Sequence, residues 1–258
     1  MLLTVDIGNT EITAGLFSGD RLLRQWRMTT GPDRTPDEWG GAFGAFLIHC
    51  GHSPNEIKAV CLASVAPAVT RSVIEGIELT TGAQVTSVTP RSELPLTLDV
   101  DDPLSVGADR IVNALAAIDR YGSDTVVVDF GTATTFDCVT NGRFIGGAIM
   151  PGLRTSADQL TRQAAKLPAT ELEPPTTVIG KRTEDCIQAG VLFGAADAVD
   201  GMIGRITAEW PSATSPTVVA TGGMAGIVAP LTTTITAIEP GLTLIGLRVA
   251  AHHLGLAW

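Results

Sequence analysis

The chain opens on LLTVDI at residues 2–7, an apolar run of strand length that Gly8 cuts short. Strand-like patterns resume at 11–17 and 21–28, after turn signals at Asn9 and at Ser18-Gly19-Asp20, so the chain is expected to begin as a meander of three strands. Residues 35–50 then read as a helix, with Pro36 near its first turn and Gly51 past its end. Residues 58–64 predict a buried strand, 67–81 a helix closed by Gly82, and 84–88 another strand. Alternation of helices and strands on top of a meander implies a mixed sheet with helices packed on it.

A single ungapped shift lays Val5, Asp6, Gly8, Leu16 and Gly19 over Val128, Asp129, Gly131, Val139 and Gly142. VDIGNTEITAGLFSGDRL thus lies over VDFGTATTFDCVTNGRFI. Each copy is an apolar strand, a DxG turn, a second strand and a second turn, which implies a duplicated domain. The boundary is expected near residue 118, within a helix read over 108–121, giving halves 1–118 and 119–258. The second half continues with a glycine-rich connection from Gly146-Gly147 to Pro151-Gly152, a helix-prone charged stretch, and a loop holding Pro174 and Pro175. A long helix follows from Thr183 toward Trp210, with Glu184 and Asp185 in the first turn where the helix dipole favours anions. A short buried strand at 217–220, a turn at TGGM and an amphipathic helix at 241–254 complete the chain.

Composition narrows the function. Among 258 residues, 17 Lys and Arg oppose 27 Asp and Glu, a net charge of −10. That disfavours nucleic-acid and membrane-surface binding, which need a basic face to displace counterions. With 45% hydrophobic and 17% charged residues the chain can bury a core. The start MLLTVDIGNT lacks the features of a signal peptide, and no apolar run has the length of a membrane span, so a cytoplasmic protein is expected. Cys50, Cys61, Cys138 and Cys186 form no CxxC pair and read as small buried hydrophobes. His49 and His52 have helical spacing, but even with Cys50 they supply no full ligand set for a metal.

The residues able to do chemistry sit at turns. Asp6, Gly8, Asn9 and Thr10 mark the point where a buried strand breaks. Glycine there permits close approach of the backbone to a phosphate, Asn9 and Thr10 offer short donors, and Asp6 can hold a magnesium ion directly or through water. A plain hairpin turn accounts for DxGNT alone equally well; its repetition from Asp129 to Thr132 favours the phosphate reading. Two such acidic turns facing a nucleotide cleft between the halves are the arrangement of the actin and sugar-kinase superfold. Thr221-Gly222-Gly223 is a weaker third phosphate or base site. Gly107-Ala108-Asp109-Arg110 precedes the apolar run IVNALAAI and so falls at a helix start. Asp109 there is either a proton acceptor for a substrate hydroxyl, with Arg110 binding a carboxylate or phosphoryl group, or simply an acid favoured by the helix dipole.

Taken in order, DIGNT at 6–10, Gly15, DPLSVGADRIVN at 102–113, VVDFGTATTFD at 127–137, GGAIMPGL at 146–153, IGKRTEDCIQAGVLFG at 179–194 and ATGGMA at 220–225 resemble the type III pantothenate kinases. The resemblance implies a duplicated ribonuclease-H-like α/β fold, a homodimer, and ATP-dependent phosphorylation of pantothenate as the first step toward coenzyme A. It implies that Asp6, Ile7, Gly8, Asn9, Thr10, Glu11, Ile12 and Thr13 bind the ATP phosphates with magnesium, and that Thr132 contacts ATP. Gly107, Ala108, Asp109 and Arg110 would bind pantothenate, with Asp109 as general base. Asp129 would help hold a monovalent cation, potassium or ammonium, and Thr183 would reach pantothenate from a partner subunit. Three positions depart from the family: Val100 stands where many members have tyrosine, Asp102 where they have asparagine, and Arg182 where asparagine usually precedes Thr183. A same-fold kinase of another small alcohol, a nucleoside or hydroxy acid, remains the alternative enzyme. A non-catalytic regulator is the alternative from another class. Glu11, a carboxylate beside the phosphate loop, is expected to point outward.

Overall fold

In the computed structural model, which describes residues 1–122 and 124–258, the opening apolar run forms strand β1 (Leu2–Ile7). It is followed by β2 (Glu11–Ser18) and β3 (Arg21–Thr29), the expected meander. Helix α1 (Pro36–His49) starts at a capping box in which Glu38 N–H donates to Thr35 Oγ1 (3.3 Å) and Thr35 N–H to Glu38 Oε2 (2.8 Å). β4 (Ala59–Ser64), α2 (Pro67–Thr81) and β5 (Val85–Ser87) follow, and the sheet order is β3-β2-β1-β4-β5. β1 pairs antiparallel with β2 and parallel with β4. Leu3, Val5 and Ile7 of β1 and Ile12, Ala14 and Leu16 of β2 alternate toward one core with Trp39, Phe43 and Leu47 of α1 and Val69, Val73 and Ile77 of α2. The two helices cross closely because Gly40 and Gly76 meet. A Cβ on Gly76 would stand 2.8 Å from Gly40 N.

After the two-residue strand β6 (Thr97–Leu98) and helix α3 (Ala108–Tyr121), the second unit repeats the plan. β7 (Thr125–Phe130), β8 (Ala133–Thr140) and β9 (Arg143–Pro151) have the same lengths of 6, 8 and 9 residues as β1, β2 and β3. Helices α4 (Leu153–Gln163) and α5 (Thr183–Ala208), strand β10 (Thr217–Thr221), the short helix α6 (Ala225–Val228) and β11 (Ala237–Ile238) complete it, with strand order β11-β10-β7-β8-β9. Val126, Val128 and Phe130 of β7 pack with Leu192, Ala196, Val199 and Ile203 of α5.

The registers correct the ungapped repeat. Asp6 faces Thr13, and an unbroken shift would put Phe136 opposite Asp129, but Thr135 is there. The second DxG turn is one residue shorter, so beyond it the copies correspond one position earlier. A bulge falls between Leu16 and Phe17 in one unit and between Cys138 and Val139 in the other, so Leu16 matches Cys138, not Val139, and Gly19 matches Asn141, not Gly142. Side-chain parity enforces the slip: Phe136 and Cys138 face the core only in this register. A second correction concerns Gly146-Gly147, read as a connection; both lie inside β9, where Gly146 takes φ +108 beside the bulge.

A third correction concerns the division of the chain. The units are Met1–Asp119 with Leu242–Trp258, and Arg120–Gly241. Helix α7 (Leu242–His253) therefore belongs with the first unit rather than to a continuous half 119–258. It docks there because Gly246 lets its backbone rest on the Val112 carbonyl of α3. Arg248 pairs with Asp20 and Asp119, while Thr243 donates to Asn113 Oδ1 (2.8 Å).

Within the second unit, Asp200 of α5 clamps the segment before β11. Its carboxylate accepts from the N–H and hydroxyl of both Thr233 and Thr234 at 2.6–3.1 Å. Burial opposes its charge, but these donors outweigh it and hold the carboxyl below the usual aspartate range. The contribution is therefore present at neutral pH and is lost as acid protonates the folded carboxylate. Asp200→Asn is expected to lower stability by about 1–2 kcal/mol at pH 7, discounted for exposure, with the gap from wild type closing below about pH 4. Denaturant unfolding across pH checks this; an unchanged midpoint at pH 7 refutes the clamp.

Candidate active site

The parallel strands β1 and β4 of the first unit end side by side, with Asp6 opposite Ala63 and Ile7 opposite Ser64. Beyond Ile7 the chain must reverse within a few residues. Gly8 N–H donates to Glu11 O (3.0 Å), and a Cβ on Gly8 would lie 2.8 Å from that oxygen, so only glycine fits the turn. Asn9 and Thr10 are exposed at its tip, and Asp6 is half-buried beneath. Ile7 and Ile12 are fully buried in the core, so of the segment 6–13 these two offer backbone alone to a ligand. Thr30, which the sequence did not single out, completes the turn. Its hydroxyl donates to Gly8 O (2.8 Å) and its N–H to Thr10 O (2.9 Å). Two carbonyls that would repel a phosphate are thereby engaged on the β3 side. Glu11 is exposed and pairs with Arg27 Nε of β3 at 3.4 Å, which offsets its charge beside the turn.

Asp109 lies in the first turn of α3, after Gly107, whose carbonyl accepts from Ile111 N–H at 3.2 Å. Its Oδ1 accepts from Arg110 N–H at 2.8 Å. Burial pushes the carboxyl above its ordinary value, against the lowering effect of that N–H and of the Arg110 charge. Ala108 is buried, while Gly107 and Arg110 are half-buried. The Gly107 motif and the Gly8 turn share one edge of the unit through Val65. Val65 N–H donates to Ile7 O (3.0 Å), and Val65 Cγ1 lies 3.4 Å from where a Cβ on Gly107 would stand. Val65 had no sequence signal, because only the β1–β4 pairing brings it there.

The second unit gathers three glycine turns. Asp129, next to last in β7, lies opposite Thr221 of β10. Gly222, at φ +89, lies so close that a Cβ would strike the Asp129 carboxylate and stand 2.7 Å from Phe130 N. Gly131 N–H closes its turn on Ala133 O (3.0 Å), leaving Thr132 exposed. Gly152 N–H and the Thr155 hydroxyl both donate to Thr132 O, at 3.1 and 2.8 Å. The weak TGG signal and the unassigned MPGL motif thus both support the DFGT turn. Thr183 is exposed at the start of α5 and lines a largely apolar cavity of about 700 Å³ with Phe130, Met150, Leu160, Ile187 and Val191.

Among the described residues no cluster of three or more His, Cys, Asp or Glu is arranged to hold a metal. Single carboxylates at glycine turns fit a magnesium ion that takes its remaining ligands from phosphate and water. His52, one of the two spaced histidines, pairs with Glu56 at 3.2 Å. Burial pushes the Cys61 thiol up to about 12, an inert core position.

Residues 2–205 match the family model described as type III pantothenate kinase. The chain belongs to the type III pantothenate kinase family. Family relatives include proteins named type III pantothenate kinase from Moorella thermoacetica, 42% identical over 96% of this chain and 98% of that one, and from Thermomicrobium roseum, 40% identical over 98% of each. Solved structures share the fold at low identity. A conserved Baf family protein from Campylobacter jejuni gives a TM-score of 0.61 at 17% identity, covering 97% of each chain. An activator of 2-hydroxyisocaproyl-CoA dehydratase from Clostridium difficile gives 0.58 at 14%, covering 98% of this chain and 95% of that one. A ROK hexokinase from Thermus thermophilus gives 0.50 at 16%, covering 96% and 97%. The duplicated strand order is therefore the ribonuclease-H-like unit of the actin and sugar-kinase superfold. As a type III pantothenate kinase the chain is a phosphotransferase that uses ATP with a divalent metal.

The raised carboxyl of Asp109 has a cost. A group whose folded value is raised contributes stability below its unfolded value and loses it as pH rises through the folded one, so charged Asp109 weakens the fold at pH 8. Asp109→Asn is expected to raise Tm at pH 8, with the difference shrinking on acidification. Thermal unfolding across pH checks this, and a lowered Tm at pH 8 contradicts the burial argument.

Proposed function

We propose that the chain phosphorylates the primary hydroxyl of pantothenate with ATP, forming 4'-phosphopantothenate, the first step of coenzyme A biosynthesis, with Asp109 as general base. The observation that carries the assignment of the base is a carboxylate raised by burial, at a helix start, on the same edge as the Gly8 turn. Asp109 takes the hydroxyl proton as the oxygen attacks phosphorus, and Arg110 holds the substrate carboxylate or the group in transfer. Asp6, Gly8, Asn9, Thr10 and Thr13 hold the phosphates and magnesium, Ile7 and Ile12 contribute backbone, Glu11 stands paired at the margin, and Thr132 contacts ATP. Bound Mg-ATP supplies the phosphoryl group and the charge neutralisation its transfer requires.

Two further assignments accompany this reading. Asp129 helps to hold a monovalent cation, potassium or ammonium, supported by a carboxylate against a glycine that leaves no side chain in the way. The active form is a homodimer in which Thr183 serves the partner's pantothenate. Its support is apolar surface in the second unit: Ile149, Val178 and Ile179 are 64%, 69% and 84% exposed. Helix α5 has the length and hydropathy of a membrane span, yet only 33% of its apolar window is buried within the chain. A second copy covers such a surface as well as a bilayer does, and the pairing of Arg182 with Asp185 and Glu184 at its start keeps that end polar. The net charge of −10 supports a small-molecule substrate, without nucleic acid or membrane, in the cytoplasm.

ADP release is expected to depend on pantothenate, to run much faster in potassium or ammonium than in sodium, and to belong to a species of dimer mass by light scattering. Stimulation by another alcohol but not pantothenate would replace the substrate. No turnover with any alcohol would favour a regulator, and full activity in sodium or as a monomer would remove the cation or dimer assignment.

A further inference from the structure

We propose that Ser64 and Thr70 are positioning residues for the phosphoryl-acceptor site, acting through a closed ring of hydrogen bonds that fixes Val65 against Gly107 and Asp109; the proposal rests on the reading of Asp109 as the base. The ring occupies the junction of β4 and α2. Pro67 opens α2, and the residue in the capping position is Ala66, whose methyl group caps nothing. Two hydroxyls do the work instead. Ala66 N–H donates to Ser64 Oγ at 3.2 Å, Ser64 Oγ and Thr70 Oγ1 are 2.6 Å apart, and Thr70 Oγ1 donates to Ala66 O at 2.9 Å.

A hydroxyl has one proton, which fixes every direction in this ring. The proton of Thr70 is engaged on the Ala66 carbonyl, so Ser64 is the donor across the short contact. Its lone pairs remain to accept the Ala66 N–H. Ser64, Thr70 and the two Ala66 backbone groups then close a circuit whose members polarise one another. Losing the Ser64 hydroxyl takes the acceptor from Ala66 N–H, and losing that of Thr70 takes the acceptor from the Ser64 proton, while Ala66 O keeps the N–H groups of Val69 and Thr70.

Val65 is the residue held between the two ring members Ser64 and Ala66. Its N–H reaches Ile7 O at 3.0 Å, one residue before Gly8 of the phosphate turn. Its Cγ1 lies 3.4 Å from the point where a Gly107 Cβ would stand, and that same point is 2.5 Å from Asp109 Oδ1. Val65 therefore flanks the same small space beside Gly107 that the Asp109 carboxylate flanks, and it is bonded to the strand that carries the phosphate turn. The hydrogen bond to Ile7 holds Val65 on the strand side, so a shift of its side chain is expected to alter the space beside Gly107 and Asp109 before it alters the Gly8 turn. The acceptor side of the reaction should suffer more than the nucleotide side.

The test compares Ser64→Ala, Thr70→Val, Thr70→Ser and Asp109→Asn in the full chain, measuring kcat and KM for pantothenate and for ATP, with thermal unfolding alongside. Ser64→Ala and Thr70→Val are expected to lower kcat/KM for pantothenate by about tenfold to a hundredfold while KM for ATP stays within about twofold. Thr70→Ser, which keeps the hydroxyl, is expected to stay near wild type. Loss of thermal stability in Ser64→Ala and Thr70→Val with unchanged kcat/KM would reduce the ring to a helix cap and overturn the proposal. So would equal losses in Thr70→Ser and Thr70→Val, which would assign the effect to packing. Full turnover by Asp109→Asn would instead remove the base on which the proposal rests, a result that reads separately from the other variants.

Discussion

The parallel pairing of β1 with β4, and of β7 with β10, is the constraint on which the other features depend. A parallel pair is buried on both faces and joined through packed helices, so its two strands finish at the same edge. Backbone polar groups at that edge are the ones the sheet leaves available. In the first unit this places Asp6, the Gly8 turn, Val65 and the start of α3 together. In the second it places Asp129 beside Thr221 and Gly222. Antiparallel neighbours β2 and β8 return from the same edge and oblige each acidic strand end to turn tightly.

Tight turning explains the glycines better than flexibility does. At Gly8, Gly152 and Gly222 the space a Cβ needs is already filled by backbone or by the Asp129 carboxylate. At the start of α3, burial of Asp109 raises its carboxyl. The base proposed at Asp109 and a residue that weakens the fold when charged are thus two consequences of one burial. The N–H and charge of Arg110 moderate that effect without cancelling it.

Much of this was legible in the sequence because period-two apolar runs and DxG breaks are local signals. The meander, both acidic turns and the starts of α3 and α5 needed no tertiary information. The failures share a cause: they depend on partners distant in the chain. The repeat slips by one after Gly131 because strand pairing, not alignment, decides which face Phe136 takes. Gly146 and Gly147 sit in a strand because a bulge against Cys138 tolerates them. Helix α7 joins the first unit through Gly246 and Arg248, neither of which advertises its destination. Thr30 and Val65 reach the site only through β3 and β4, so no motif around them could have announced a role.

The central claim is that a half-buried, raised carboxylate at Asp109 accepts the substrate proton. The dependence of kcat/KM for pantothenate on pH tests it most directly. The account requires an acid limb that rises with pH through a value above the ordinary aspartate range and disappears in Asp109→Asn. A profile that stays flat down to that range, or an acid limb that persists unchanged in the variant, would contradict it.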